Sequence, residues 1–227
     1  MNTDETSEPT PPPPISRRPI KARDSRWAAK IAATLARVPV KPNTISIFSV
    51  VFAAIAGACF AATACPCRSP STIATAVLFI CGAACVQLRL LCNLFDGMVA
   101  VEGGFKTKSG EVFNELPDRF ADAFILIGLG YASSNATLGC IAAVLAVITA
   151  YVRALGASAG AGQNFMGPMA KQHRMAVVTI AAILCALALF WSWHAQIATV
   201  ALGIMIAGML VTIARRARWV IRTLENK

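Results

Sequence analysis

Six of the chain's eleven acidic residues fall within one short stretch: Asp96, Glu102, Glu111, Glu115, Asp118 and Asp122. At about 100° per residue, Asn93, Asp96 and Ala100 share one helical stripe, and Asn114, Asp118 and Asp122 share another. Two facing stripes of oxygen donors, joined by the Gly-containing turn VEGGFKTKSGE, suit a hard cation such as Mg²⁺ or Mn²⁺ and a phosphate held by it. Helix capping offers a plainer account. Asp96 would end one helix, Asn114 would cap the next, and Asp118 and Asp122 would sit in its first turns with Pro117, where the helix dipole favours anions. Capping explains these residues singly but does not gather six acids in one place.

The elements that must position these groups read as membrane helices. The chain has 227 residues, 56% hydrophobic and only 14% charged, a composition of integral membrane proteins. Six apolar windows approach the length of a span, at 44–64, 72–92, 119–134, 138–157, 175–193 and 196–214. The third is short and polar at its start. The expectation is an all-α polytopic protein with six transmembrane helices and both termini cytoplasmic. That orientation puts Arg17, Arg18, Lys21, Arg23, Arg26, Lys30, Arg37, Lys41, Lys106, Lys108, Lys171, Arg174, Arg215, Arg216, Arg218, Arg222 and Lys227 on one side, and only Arg68 on the other. The same asymmetry accounts for the net charge of +10 without nucleic acid, for which no motif is present.

Around the spans, residues 1–24 read as a disordered Pro-rich and basic tail, residues 25–215 as the membrane domain, and 216–227 as a basic cytoplasmic tail. No signal-peptide pattern precedes the first span, which is expected to be retained. Trp27, Ile31, Leu35 and Val38 share one face of SRWAAKIAATLARVPV, the pattern of a short amphipathic juxtamembrane helix or of a basic flank. The segment KPNTIS reads as the cap of the first span. Trp191 and Trp193 suit an interfacial belt. Of the eight cysteines, six lie in or beside the spans as small apolar residues, and Cys65 and Cys67 form a weak C-P-C signal in a loop.

Basic residues approach the acids from several elements. Arg89 lies four residues before Asn93, on the same helical face, and Arg153 lies near the end of the fourth span. Lys171, His173 and Arg174 come from the loop before the fifth. Arginines in such places call for anionic partners, either a phosphate or the clustered carboxylates; snorkelling suits Arg153 as well.

Residues 93–118 resemble the signature of the CDP-alcohol phosphotransferase family, D-x2-D-G-x2-A-R-x8-G-x3-D-x3-D. Asp96, Gly97, Ala100, Gly110 and Asp118 match at full spacing, whereas Asn93 and Asn114 stand where the family has Asp, and Val101 where it has Arg. The six-span arrangement, PNTIS and DRFAD are also similar to family members. The resemblance covers roughly 35–215.

The resemblance implies a phospholipid-biosynthesis enzyme of the inner membrane. It would transfer a phosphatidyl or similar group from a CDP-linked donor, CDP-diacylglycerol above all, to a small alcohol with release of CMP. It implies divalent metal, Mg²⁺ or Mn²⁺, among Asp96, Asn93, Asn114, Asp118 and Asp122. Asp118 would be the general base; Gly97, Ala100 and Gly110 would admit the nucleotide; Arg153, Lys171 and Arg174 would bind phosphate or acceptor. A homodimer in the bilayer is implied too. In a second register Asp118 becomes a ligand and Asp122 the base. Two amides for carboxylates remove charge from the metal site, for which Glu102, Glu111 or Glu115 would compensate. The rival expectation, resting on Asn93, Asn114 and Val101, is a non-catalytic lipid-binding or scaffold protein on the same fold. A transporter is disfavoured because no inverted repeat is visible.

Overall fold

The computed structural model describes residues 42–64, 71–102 and 110–226. The tail, the juxtamembrane segment, Cys65, Cys67 and Arg68 lie outside them. Six α-helices run in order: α1 Pro42–Ala62, α2 Thr72–Glu102, α3 Gly110–Ala132, α4 Ala136–Ser158, α5 Lys171–Leu187 and α6 His194–Glu225, with a 3₁₀ turn at Ala188–Trp191. Among the described residues there are no strands, so the expected all-α class holds.

Five helices are long and apolar enough to cross a membrane, over Thr44–Ala62, Thr72–Val99, Ala136–Ser158, Lys171–Trp191 and His194–Glu225. The chain is therefore a membrane protein by the character of its helices. The sixth expected span falls on α3, whose first half carries Glu111, Glu115, Asp118, Arg119 and Asp122. These charges keep α3, 23 residues long, out of the set selected by length and apolar character. α3 packs among α1, α4 and α6, and neighbouring helices shelter its charges.

Glycine sets how closely these helices approach. A Cβ on Gly57 of α1 would collide with the Phe124 carbonyl of α3, and one on Gly128 would collide with the Gly57 carbonyl. The two backbones touch, the close packing that small residues permit between membrane helices. Around this contact, Phe60, Phe79, Ile125, Leu126, Leu129, Leu202 and Met205 form a buried core.

The helices alternate in direction, so the ends of α2, α4 and α6 gather with the starts of α1, α3 and α5. At 31 residues, α2 is about 46 Å long at 1.5 Å per residue, against a hydrocarbon core of about 30 Å. Its last turns, carrying Asn93 and Asp96, reach the polar edge of the bundle. At the opposite end Phe190, Trp191 and Trp193 are exposed, as an interfacial belt requires.

Helix α3 begins at Gly110, earlier than the capping account expects. Asn114 lies inside the helix, and Pro117 sits within it beyond the first turn, where it offers no N–H to the Phe113 carbonyl.

Candidate functional site

Three aspartates are buried at the gathered ends, Asp96 on α2 and Asp118 and Asp122 on α3. Each has a different set of partners. Asp122 is 1% exposed and both its oxygens are taken: Arg89 donates to Oδ1 at 2.6 Å and Arg174 to Oδ2 at 2.5 Å. Arg174 also donates to the Met169 carbonyl at 3.1 Å. Arg89, completely buried, reaches from α2 across to α3 and holds the Asp118 carbonyl at 3.5 Å as well. The result is a guanidinium–carboxylate–guanidinium bridge tying α2, α3 and α5 together in the interior. Its charges are paired, the main condition for burying them, while Arg89 Nε and Nη1 and Arg174 Nε have no hydrogen-bond partner among the described residues.

Asp118 is held on one side only. Its Oδ1 accepts from Asn93 Nδ2 at 3.0 Å and from Lys171 Nζ at 2.5 Å, with Arg89 Nη2 at 3.5 Å. Its Oδ2 has no hydrogen-bond partner among the described residues. The side chain retains 11% exposure, so this oxygen is the one able to receive a proton from an incoming hydroxyl.

Asp96 has no Lys or Arg within ion-pair distance among the described residues; Ser46 of α1 donates to its Oδ2 at 2.8 Å. The neighbouring Ser49 donates to Asn93 Oδ1 at 3.2 Å. These two serines, three residues apart on an otherwise apolar helix, escaped the sequence reading, which took this segment as a cap alone. Their i, i+3 spacing was the available signal: both face α2. A buried carboxylate without a cation is costly, so Asp96 is the member of the cluster open to a hard cation, although among the described residues no three His, Cys, Asp or Glu side chains converge to hold one.

Glu115 and Arg153 form a separate pair nearer the surface. Arg153 donates to Glu115 at 2.5 Å and to Gln163 at 3.3 Å, and its guanidinium lies 5.2 Å from the Phe165 ring centroid. Arg119 closes on Glu115 at 2.6 Å. Burial would raise the Glu115 carboxyl, but the hydrogen bond and charge of Arg153, with Arg119, outweigh it and hold the group below its ordinary range.

The loop before α5 is fixed from α6. Arg216 donates to the Met166 and Thr149 carbonyls at 2.9 and 2.8 Å, and Thr212 accepts from the Met169 amide at 3.1 Å. Gly167, at φ +131, lies where a Cβ would collide with Thr212. This clasp sets the start of α5 and hence Lys171 and Arg174.

Of the expected metal ligands, the structure brings Asp96, Asn93 and Asp118 to one level of the bundle. It gives Asp122 a different place, since both its oxygens are engaged by arginines. Lys171, Arg174 and Arg153, expected on phosphate, are each paired with a carboxylate. Gly97 lies next to Asp96 in α2. The side-chain surroundings of Ala100, Gly110 and Asn114, and those of Glu102 and Glu111, lie outside the described residues.

Neither family models nor curated proteins give a match. Solved structures do. Mycobacterium tuberculosis phosphatidylinositol phosphate synthase (PgsA1) with CDP-DAG bound is similar at TM-score 0.69 and 21% identity, over 86% of this chain and 94% of that one. The same enzyme in complex with manganese and citrate gives TM-score 0.67 at 21% identity, over 86% and 88%. Its apo form gives 0.65 at 22%, over 85% and 95%. The chain therefore has the fold of these phosphatidylinositol phosphate synthase structures, the fold that the CDP-alcohol phosphotransferase resemblance implies.

Proposed function

We propose that the chain belongs to the CDP-alcohol phosphotransferases. It would move a phosphatidyl or similar phosphoalcohol group from a CDP-linked donor, with CDP-diacylglycerol the preferred candidate, to the hydroxyl of a small alcohol, with release of CMP. The observation that carries this reading is Asp118, a buried carboxylate fixed through Oδ1 with Oδ2 left for a hydroxyl, in a fold whose solved neighbour was crystallised with CDP-DAG.

In this reading Asp118 Oδ2 takes the proton of the attacking hydroxyl, and Asn93, Lys171 and Arg89 keep that carboxylate from turning. Asp96 would hold a divalent cation, Mg²⁺ or Mn²⁺, which when bound neutralises the diphosphate. The neighbour solved with manganese supports that class of ion. Gly97, with Ala100 and Gly110, would leave room for the nucleotide. Lys171 and Arg153 flank the place where a phosphate or polar acceptor would enter. Arg174 acts from below through Asp122. The positive-inside pattern supports both termini and the site on the cytoplasmic side of the cell membrane, and a homodimer is part of the proposal.

The test is CMP release from purified protein in lipid nanodiscs, supplied with CDP-diacylglycerol, Mg²⁺ or Mn²⁺ and a panel of alcohols. Release that requires one alcohol and disappears in Asp118→Asn supports the enzyme and names its acceptor. A scaffold on the same fold is the second reading, favoured by Asn93, Asn114 and Val101. Nucleotide binding without release for any acceptor would select it.

A further inference from the structure

Asn93 presents its amide nitrogen, not its oxygen, to Asp118, while its own oxygen is occupied by Ser49. A carboxylate at position 93 in this pose would set two like charges about 3 Å apart, an arrangement that needs a proton or a cation between them. Here an amide N–H makes that contact directly. On the same oxygen of Asp118 rests the ammonium of Lys171, at 2.5 Å and with only 21% exposure. A positive charge and a donor thus already occupy the side of Asp118 where a cation bridging positions 93 and 118 would bind.

We propose that Lys171 and Asn93 take the place of a bridging divalent cation at Asp118, so that this site works with a single metal ion, held at Asp96. The inference deepens the phosphotransferase reading and rests on it for the role of the ion, though not for the count.

Charge balance supports the same assignment. Arg89, Lys171 and Arg174 stand against Asp96, Asp118 and Asp122, so these six buried or half-buried groups cancel. A bound diphosphate diester adds about two negative charges, which one divalent ion neutralises; a second would leave about two positive charges uncompensated where charge is expensive. Two amides where the family signature has carboxylates are what a site with one fewer divalent ion requires. Lys171 is poised for this by the Arg216 and Thr212 clasp on the preceding loop. It follows that Lys171 is a positioning residue for Asp118, and that restoring the acid at position 93 requires removing the lysine.

Mn²⁺ binding to the full chain in nanodiscs, counted by calorimetry and by electron paramagnetic resonance, tests this apart from turnover. Wild type is expected to bind one Mn²⁺ per chain with the spectrum of an isolated ion. The Asn93→Asp/Lys171→Met variant is expected to bind two, the second at least about tenfold tighter than any further ion in wild type, with dipolar coupling between them and a melting temperature raised by Mn²⁺. If that variant fails to fold, Lys171→Gln alone is expected to tighten a second Mn²⁺ in the same sense. Two coupled ions in wild type would overturn the proposal, as would an unchanged count in a folded variant. Mn²⁺ counts as expected but no CMP release with any alcohol would leave the metal assignment standing and remove the phosphotransferase.

Discussion

Asp118 and Asp122 are one helical turn apart on α3, both buried and both facing cations, yet the structure gives them opposite tasks. Asp122 spends both oxygens on Arg89 and Arg174 and so closes a bridge between three helices. Asp118 spends one oxygen on Asn93 and Lys171 and keeps the other. Burial and an arginine are common to both; what distinguishes the residue proposed as base is a free oxygen at an accessible edge. In the proposed reading the comparison favours the register with Asp118 as base, because each oxygen of the buried Asp122 is already engaged by an arginine.

The sharpest way to break this contrast is to neutralise each acid in turn. Asp118→Asn is expected to lower CMP release by about 10²- to 10⁴-fold with little change in melting temperature, since the amide can still accept through one oxygen. Asp122→Ala is expected to act in the other currency, destabilising the fold by about 3–5 kcal/mol, because two buried guanidiniums lose their partner. Thermal unfolding in detergent, read beside turnover, checks both. Equal losses of stability in the two variants would erase the distinction.

A third change tests whether the frame that holds both acids is set by backbone contact. Gly128→Leu must part α1 from α3 at Gly57, and the strain of such overpacking is about 1–3 kcal/mol or more. Loss of turnover is expected alongside, because Ser46 and Ser49 on α1 would withdraw from Asp96 and Asn93.

The smallest effect belongs to Glu115, which precedes the apolar part of α3. Its carboxyl is held below its ordinary range by Arg153 and Arg119, so its contribution is complete above the unfolded-state value and fades as pH falls through the lower folded-state value. At 39% side-chain exposure, Glu115→Gln is expected to cost only about 0.5–1 kcal/mol near neutral pH. The difference from wild type should shrink in strongly acidic buffer.

The all-α class, five of the spans and the level at which Asp96 and Asp118 meet were legible because hydropathy and helical period are local properties of the chain. The sixth expected span, on α3, does not stand out by composition, because a window of residues counts Asp118 and Asp122 as charges and cannot tell that Arg89, Lys171 and Arg174 from other helices pair with them. The partner choices were beyond reach for the same reason: Arg174 and Asp122 are 52 residues apart, and nothing local pairs them. Pro117 misled in the other direction, since its usual place in a first turn argued for a helix start that lies at Gly110 instead.

The overhang of α2 has a consequence for how such a protein would be measured. If the proposed reaction holds, a helix longer than the hydrocarbon core with Asn93 and Asp96 in its last turns would put the reaction near the headgroup plane, where a lipid donor would arrive sideways and a water-soluble acceptor from above. One substrate is then counted per unit of membrane area and the other per unit of volume. Diluting the donor with inert lipid at constant total donor should slow turnover, while diluting the whole vesicle suspension at fixed acceptor should leave the rate per protein unchanged.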